Sequence, residues 1–312
     1  MYVKGIFFKE LIRRGYTYRG RTKVWDISSS KLWYLTPELA KGYLNLKNYP
    51  PFRQRVIDDE IELIRKNAQS ILKKFNSKKF NLIDLGCGDG AKAAAFIRQA
   101  PKNVNLRYCP VDISPYLLKM AAGKIKSLKF QQVENIKPTL VDFTKKDHTF
   151  SMLRSTEYQK NLVLLLGETI SHYEIHELIF KLSRDLLPGE VILIGNGIRT
   201  GKRFEHLEKY RSSLFNEWFI NIMRAIGFSD SEVGVNVRFT NERLEGFYHI
   251  LVDKTIQYGN KRINFHKGDE IVVGAQNKFF EKELKKCCKM YFSEVKLYKN
   301  PQREYCLVVC RR

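Results

Sequence analysis

The sequence predicts an α/β protein built on a doubly wound parallel sheet, and three observations carry that expectation. An apolar run ends in an acid-led glycine turn, Asn81-Leu-Ile-Asp-Leu-Gly-Cys-Gly-Asp-Gly-Ala-Lys92, with an Ala-rich helix former straight after it. That order is a strand, a tight loop and a helix start. Downstream, short apolar runs alternate with segments of helical period as far as Ile194, which is the pattern of βα units in a parallel sheet. Past Gly195 the alternation breaks, and a strand-rich stretch precedes a final helix and two strands.

Taken in order, residues 1–50 read as irregular and aromatic-rich, with Tyr16, Tyr18, Trp25, Trp33, Tyr34, Tyr43 and Tyr49 in a segment too polar to fold alone. Such a segment is expected to pack on the rest of the chain. From position 52 to 75, Val56, Ile57, Ile61, Ile64, Ala68, Ile71, Leu72 and Phe75 recur at helical spacing and predict one amphipathic helix, ended by Asn76 and Ser77. The alternating region then predicts strand 80–85, helix 91–100, strand 106–112, helix 115–125, strand 140–143, strand 161–166, helix 174–186 and strand 190–194. Such a sheet binds ligands beyond the carboxyl ends of its strands, where the strand order reverses, and the glycine loop sits at such an end.

Residues 202–228 read as helical and 234–274 as strands, with a hairpin turn at Gly259-Asn260. Helix 279–289, strand 291–297, a turn at Asn300-Pro301 and strand 305–310 follow. The expected organisation is therefore a covering segment and helix at 1–75, a core at 76–198 plus 278–312, and an inserted smaller α+β lobe at 199–277.

With 312 residues and 44% hydrophobic content the chain can bury a sizeable core. Lys, Glu and Arg interrupt the apolar positions of residues 1–20, and no apolar stretch is long enough to span a bilayer, so a soluble, cytoplasmic protein is expected, with no membrane partner; a monomer is also expected. None of the six cysteines, Cys87, Cys109, Cys287, Cys288, Cys306 and Cys310, forms a Cys-x-x-Cys pair or stands at zinc-finger spacing with histidine. No metal is expected, and the thiols read as reduced, buried apolar groups. The net charge of +22 would attract nucleic acid, anionic membrane or acidic metabolites without choosing among them. Because the basic residues are spread along the whole chain, most of them read as solvated faces.

The glycine spacing narrows the ligand. A dinucleotide cradle is G-x-G-x-x-G, whereas this loop is G-x-G-x-G with Asp84 inside the preceding strand. It resembles the first motif of the class I S-adenosylmethionine (SAM) methyltransferases, whose loop passes the amino-acid end of SAM and cradles no phosphate. That resemblance implies SAM as cofactor and a Rossmann-like class I sheet, which a closing antiparallel hairpin such as 291–310 usually completes.

Further motifs resemble one family, the histidine-specific SAM-dependent methyltransferases of the ergothioneine route, over nearly the whole chain from Trp25. Trp25-Asp-Ile-Ser-Ser-Ser-Lys-Leu-Trp33 is similar to the family's Tyr-Asp-x-x-Gly-Ser-x-Leu-Phe, and Tyr49-Pro50 to its Tyr-Pro step. Asp84-Leu-Gly86-Cys-Gly88-Asp-Gly-Ala-Lys92 reproduces the glycines and lysine of Glu-Leu-Gly-x-Gly-x-x-x-Lys. The resemblance implies that Lys92 meets the SAM carboxylate. It also implies that Asp112, in Pro110-Val-Asp112, takes the ribose hydroxyls, and that Asp142 and Phe143 take the adenine amine and ring.

Leu164-Leu-Leu-Gly167-Glu168-Thr-Ile-Ser-His172-Tyr173 is similar to the family's Leu-Gly-x-Thr-Ile-Gly-Asn-Phe, with His172 in place of an asparagine that holds the substrate's amino group. Gly167 falls at the cofactor in this comparison. Tyr210 matches a substrate-contacting tyrosine; Gly246 falls in the place of Arg-Ile-Glu-Met, and Gly274 and Gln276 in that of Glu-Val-Ser-Cys-Lys-Phe. Gly274 thus stands where the family has the carboxylate that binds imidazole, so Gly246 and Gly274 imply a wider, less charged pocket and an acceptor other than histidine.

The implied activity is methyl transfer from SAM to the amine of an amino acid or related small molecule. Glu168, His172 and Tyr210 are the candidate catalytic residues, and Trp25, Tyr49, His172, Tyr210, Gly246, Gly274 and Gln276 the substrate-binding ones. Base-modifying amino-methyltransferases carry Asn/Asp-Pro-Pro-Tyr after the fourth strand, where this chain has Gly-Glu-Thr-Ile. Two alternatives stand beside this expectation: an RNA or protein methyltransferase guided by the basic surface, and a SAM-binding protein without catalysis.

Overall fold

A computed structural model describes residues 2–50, 53–201, 207 and 213–312. The chain divides into two compact units, Met1–Phe52 with Arg203–Asn277, and Arg53–Lys202 with Lys278–Arg312.

In the second unit the apolar runs form the strands of a mixed nine-stranded sheet. Lys79–Leu85 lies parallel between Asn105–Asp112 on one side and Asn161–Leu165 on the other. Val191–Arg199 continues the parallel order beyond Asn161–Leu165. The antiparallel strands Tyr305–Arg311 and Glu294–Lys299 close that edge. Strand order therefore reverses beside Lys79–Leu85, and the glycine loop leaves from its carboxyl end.

Alternate residues feed opposite faces. Leu82, Leu162, Leu164 and Leu193 join a core with Ile64, Ala68, Phe96 and Ile125 of the helices Asp59–Phe75, Ala91–Ile97 and Pro115–Ser127. Ile83, Val163, Leu165, Ile192 and Ile194 join another core with Leu178, Ile179 and Leu284 of the helices Ile175–Asp185 and Glu281–Tyr291. Helices on both faces explain why these strands read as unbroken apolar runs.

Three local expectations change. Instead of one strand at 140–143 there are two short ones, Val133–Ile136 and Thr139–Leu140, both parallel to Asn105–Asp112. Pro138, between them, has no N–H to give the ladder. The helix expected over 91–100 ends at Ile97. A π-helical turn, Arg53–Asp58, precedes the amphipathic helix, which runs Asp59–Phe75 and belongs to this unit.

The first unit overturns the irregular reading of residues 1–50. Tyr2–Arg14 is a helix that buries Phe7, Phe8 and Leu11, spaced on one helical face. A hairpin, Tyr16–Arg19 with Thr22–Asp26, and a second helix, Pro37–Asn48 capped by the Thr36 hydroxyl, follow. The hairpin joins Glu270–Asn277, Arg243–Ile250 and Val233–Thr240 in a five-stranded sheet. Lys254–Tyr258 and Lys261–Phe265 pair separately across the Gly259-Asn260 turn. Trp25, Trp33, Trp218, Phe219, Met223 and Phe265 are buried in the core of this unit. Among the described residues no helix is long and apolar enough to cross a membrane.

Candidate active site

The carboxyl ends of the parallel strands in the second unit gather most of the residues expected at the cofactor. Gly86 and Gly88 follow strand Lys79–Leu85 with φ of +63° and +54°, a left-handed path that glycine takes at no steric cost. A Cβ on Gly88 would meet no other atom within 4 Å, so its surface is open to a ligand. Asp112, the last residue of the neighbouring strand, accepts from the Gly88 N–H at 3.4 Å and from the Ser114 N–H at 2.9 Å. Burial raises its carboxyl above the ordinary aspartate range, against those hydrogen bonds.

Asp84 lies deeper, 4% exposed, and accepts the Tyr108 hydroxyl at 2.8 Å. Burial pushes it up to about 7 even though that hydrogen bond favours the ionised form. Asp142 caps the turn after strand Thr139–Leu140 by accepting the Thr144 N–H and hydroxyl at 3.1 and 2.7 Å. Phe143 is buried in the core with its ring 6.2 Å from that of Tyr173. These acids, an open glycine backbone and a nearby lysine fit a ligand with ribose hydroxyls and an amino-acid end. The Cys87 thiol, beside Asp112 Oδ2 at 3.8 Å, is held well above the ordinary range by burial and then by the Asp112 and Asp84 charges. It is therefore no nucleophile.

The group that the sequence pattern concealed is Glu60. It stands one residue into helix Asp59–Phe75 and is fully buried. Its carboxylate accepts the Gly167 N–H at 3.0 and 3.1 Å and pairs with the Lys92 ammonium, whose side chain keeps 14% of its surface exposed. Gly195 lies under that carboxylate, where a Cβ would collide with Oε1 and stand 3.2 Å from the Tyr305 hydroxyl. Burial, and then the charges of Glu60 and Glu168, push that hydroxyl well above the ordinary tyrosine range. Two signals were available in the sequence: Glu60 falls at helical spacing with Ile64, Ala68 and Phe75, and Gly195-Asn-Gly197 interrupts an apolar strand.

Glu168 follows the same scheme on the next turn. It adopts a left-handed φ of 61°, is 2% exposed, and accepts the Gly197 N–H at 3.1 Å. The Lys278 ammonium, also buried, stands 3.5 Å from it. His172 ends the 3-10 turn Thr169–His172 and is half-buried. The structure thus brings Asp84, Gly86, Gly88, Lys92, Asp112, Asp142 and Gly167 to one edge, while turning the Glu168 carboxylate inward.

The remaining candidates belong to the first unit. Trp25 is buried between Tyr16 and Phe265, with ring centroids 5.0 and 5.3 Å away. Its indole N–H finds no hydrogen-bond partner among the described residues. Tyr49, half-buried, ends helix Pro37–Asn48 and donates its N–H to the Leu46 carbonyl. Tyr210 lies outside the described residues. Gly246 and Gly274 face each other across adjacent strands, and Gln276 pairs with Leu244 two residues along.

The paired glycines do not leave empty space. A Cβ on Gly246 would come within 2.6 Å of the Phe215 ring, and one on Gly274 within 3.0 Å of the Phe219 ring. Both rings belong to helix Ser213–Ile226, with centroids 4.5 Å apart. Missing side chains on the strands are thus matched by two aromatic rings on the helix, which the sequence pattern of the strands alone does not reveal.

Residues 43–312 match the family described as histidine-specific methyltransferase, SAM-dependent. No curated protein matches the chain. Among solved structures, Streptomyces venezuelae DesVI is similar at 12% identity and TM-score 0.42, over 86% of this chain and 98% of that one. The sugar N-methyltransferase KedS8 from Streptoalloteichus is similar at 14% identity and TM-score 0.43, over 85% and 92%. The SAM-dependent methyltransferase SibL is similar at 12% identity and TM-score 0.46, over 99% and 69%. At these identities and TM-scores the solved structures carry no argument about the acceptor.

Proposed function

Because the chain belongs to the histidine-specific, SAM-dependent methyltransferase family, we propose that it methylates the amine nitrogen of an amino acid or related small molecule other than histidine. The observation that supports an acceptor other than histidine is at Gly274. In the family resemblance this position carries the imidazole-binding carboxylate, and here it has no side chain while the Phe219 ring approaches a Cβ position to 3.0 Å. Without a carboxylate at that position, an imidazole nitrogen has no anionic partner there.

When bound, SAM supplies an electrophilic methyl group on a sulfonium, and the protein's task is mainly to align a neutral amine with it. Gly86 and Gly88 give the cofactor a bare backbone, Asp112 accepts from ribose hydroxyls, Asp142 and Phe143 serve the adenine, and Lys92 meets the carboxylate. His172 aligns the acceptor nitrogen. An ammonium whose pKa is about 8 to 10 must shed its proton first, and a half-buried imidazole such as His172 is suited to accept it. Glu168, turned onto Gly197 and Lys278, holds the loop that carries His172.

The test is release of S-adenosylhomocysteine from purified protein, SAM and a panel of amines with histidine among them. Faster release with a non-histidine amine is the expected result, and preferred turnover of histidine would overturn the acceptor assignment. Turnover of RNA alone would move the acceptor to nucleic acid.

A further inference from the structure

We infer that Glu60 is a positioning residue that sets Lys92 for the carboxylate end of the cofactor, an inference that rests on the assignment of Lys92 to that carboxylate. Three features of the site lead there. Glu60 is fully buried, its carboxylate closed off from solvent. The Gly167 N–H reaches both of its oxygens at 3.0 and 3.1 Å, and Gly195 has no side chain because the carboxylate fills that space. Glu60 therefore cannot swing away from where it sits.

Lys92 is the partner with the longer side chain. It rises from the first turn of helix Ala91–Ile97 on a flexible stem. Its Nζ lies 2.8 Å from where a Cβ of Gly167 would be, so the ammonium rests against the loop after strand Asn161–Leu165. An ammonium has three N–H bonds. One is turned to Glu60, which fixes the nitrogen, and the side chain keeps 14% of its surface exposed, so an anion can reach it from solvent. One buried carboxylate thus ties helix Ala91–Ile97, through Lys92, to the loop after strand Asn161–Leu165, through the Gly167 amide, over Gly195 of strand Val191–Arg199.

The experiment compares two ligands that differ at the amino-acid end: S-adenosylhomocysteine, which carries the carboxylate, and 5′-methylthioadenosine, which lacks it. Calorimetry on the full chain gives the ratio of their affinities. Glu60→Gln keeps an acceptor for the Gly167 N–H but removes the charge that holds Lys92. It is expected to lower the ratio by about tenfold, the loss of one well-placed charge-assisted hydrogen bond, with methylthioadenosine affinity within about twofold of the parent. Lys92→Met should lower the ratio at least as far, and the double variant no further than Lys92→Met, because Glu60 acts through Lys92.

A merely structural role would lower both affinities together and leave the ratio unchanged, which overturns the inference. A ratio that rises in Glu60→Gln also overturns it, since Glu60 would then be competing with the cofactor for Lys92. An unchanged ratio in Lys92→Met would instead remove the premise that Lys92 meets the carboxylate. Should Glu60→Gln not fold, Glu60→Asp keeps the charge and withdraws it by one methylene, and a lowered ratio is expected there too; an unlowered one refutes the inference.

Discussion

Asp84 gives the protein a stability that falls as pH rises. The carboxyl is buried at 4% exposure beneath the glycine loop, and its folded value is about 7 against an ordinary 3.8. Below 3.8 the group is protonated in both states and costs folding nothing. Between the two values the unfolded chain has lost the proton while the folded chain keeps it, so stability drops by about 1.4 kcal/mol per pH unit. Above 7 both states are ionised and the full cost is in place, about 4 kcal/mol from the separation of the two values. The Tyr108 hydroxyl, 2.8 Å away, softens the cost without removing it. Asp84→Asn keeps an acceptor for that hydroxyl and cannot ionise. Urea unfolding followed by far-ultraviolet circular dichroism, run on both proteins from pH 5 to pH 8, should show the parent losing stability relative to the variant by about 2–3 kcal/mol. Parallel curves would refute the assignment of a protonated Asp84.

Three other outcomes test the packing and the thiols. Gly195→Ala should abolish folding or lower the melting temperature sharply, since its Cβ collides with the buried Glu60 carboxylate, whereas Gly123→Ala, with nothing within 4 Å, should be neutral or stabilise by about 0.5–1 kcal/mol in thermal melts. Glu168→Gln withdraws the charge facing buried Lys278 and should cost about 3–5 kcal/mol in urea unfolding, and adding Lys278→Met should recover part of that loss. All six cysteines are free and buried, and burial pushes Cys109 up to about 11 and Cys287 up to about 12. A thiol reagent at neutral pH should therefore leave the native protein unlabelled on the timescale in which the denatured chain reacts fully.

The doubly wound sheet was legible because its strands are apolar on both faces and its helices are periodic, so the order of elements survives without any contact being known. The glycine loop and the two strand-end acids, Asp84 and Asp112, were legible for the same reason: each sits where an apolar run stops. Helical periodicity treats every carboxylate as solvent-facing, and Glu60 defeats it by being buried among Ile64 and Ala68 on the inward face. The third strand was misplaced because Pro138 splits one ladder into two short pieces. The helix Tyr2–Arg14 was missed because it has no acid in its first turn and Phe7-Phe8 reads as a short apolar pair. The glycines at 246 and 274 read as space in the sequence, since the Phe215 and Phe219 rings that fill it come from a distant part of the chain.

Strand Val191–Arg199 shows why this edge of the sheet carries buried charge at all. Two of its residues, Gly195 and Gly197, stand on one face, and each lies under a glutamate carboxylate, Glu60 and Glu168. Each carboxylate has a backbone N–H donor and a lysine partner: Gly167 and Lys92 for one, Gly197 and Lys278 for the other. Burying two such pairs costs several kcal/mol per ion in desolvation, and apolar side chains of the same volume would serve stability as well or better. The pairs sit at the carboxyl ends of the strands, next to the cofactor loop, and not midway along the sheet where Leu193 and Ile194 are packed with other apolar residues. Stability alone does not explain charge in that place. An arrangement that pins the Lys92 ammonium and the loop bearing His172 by directional, charge-assisted bonds does, because such bonds fix a position that apolar packing would leave free to slide.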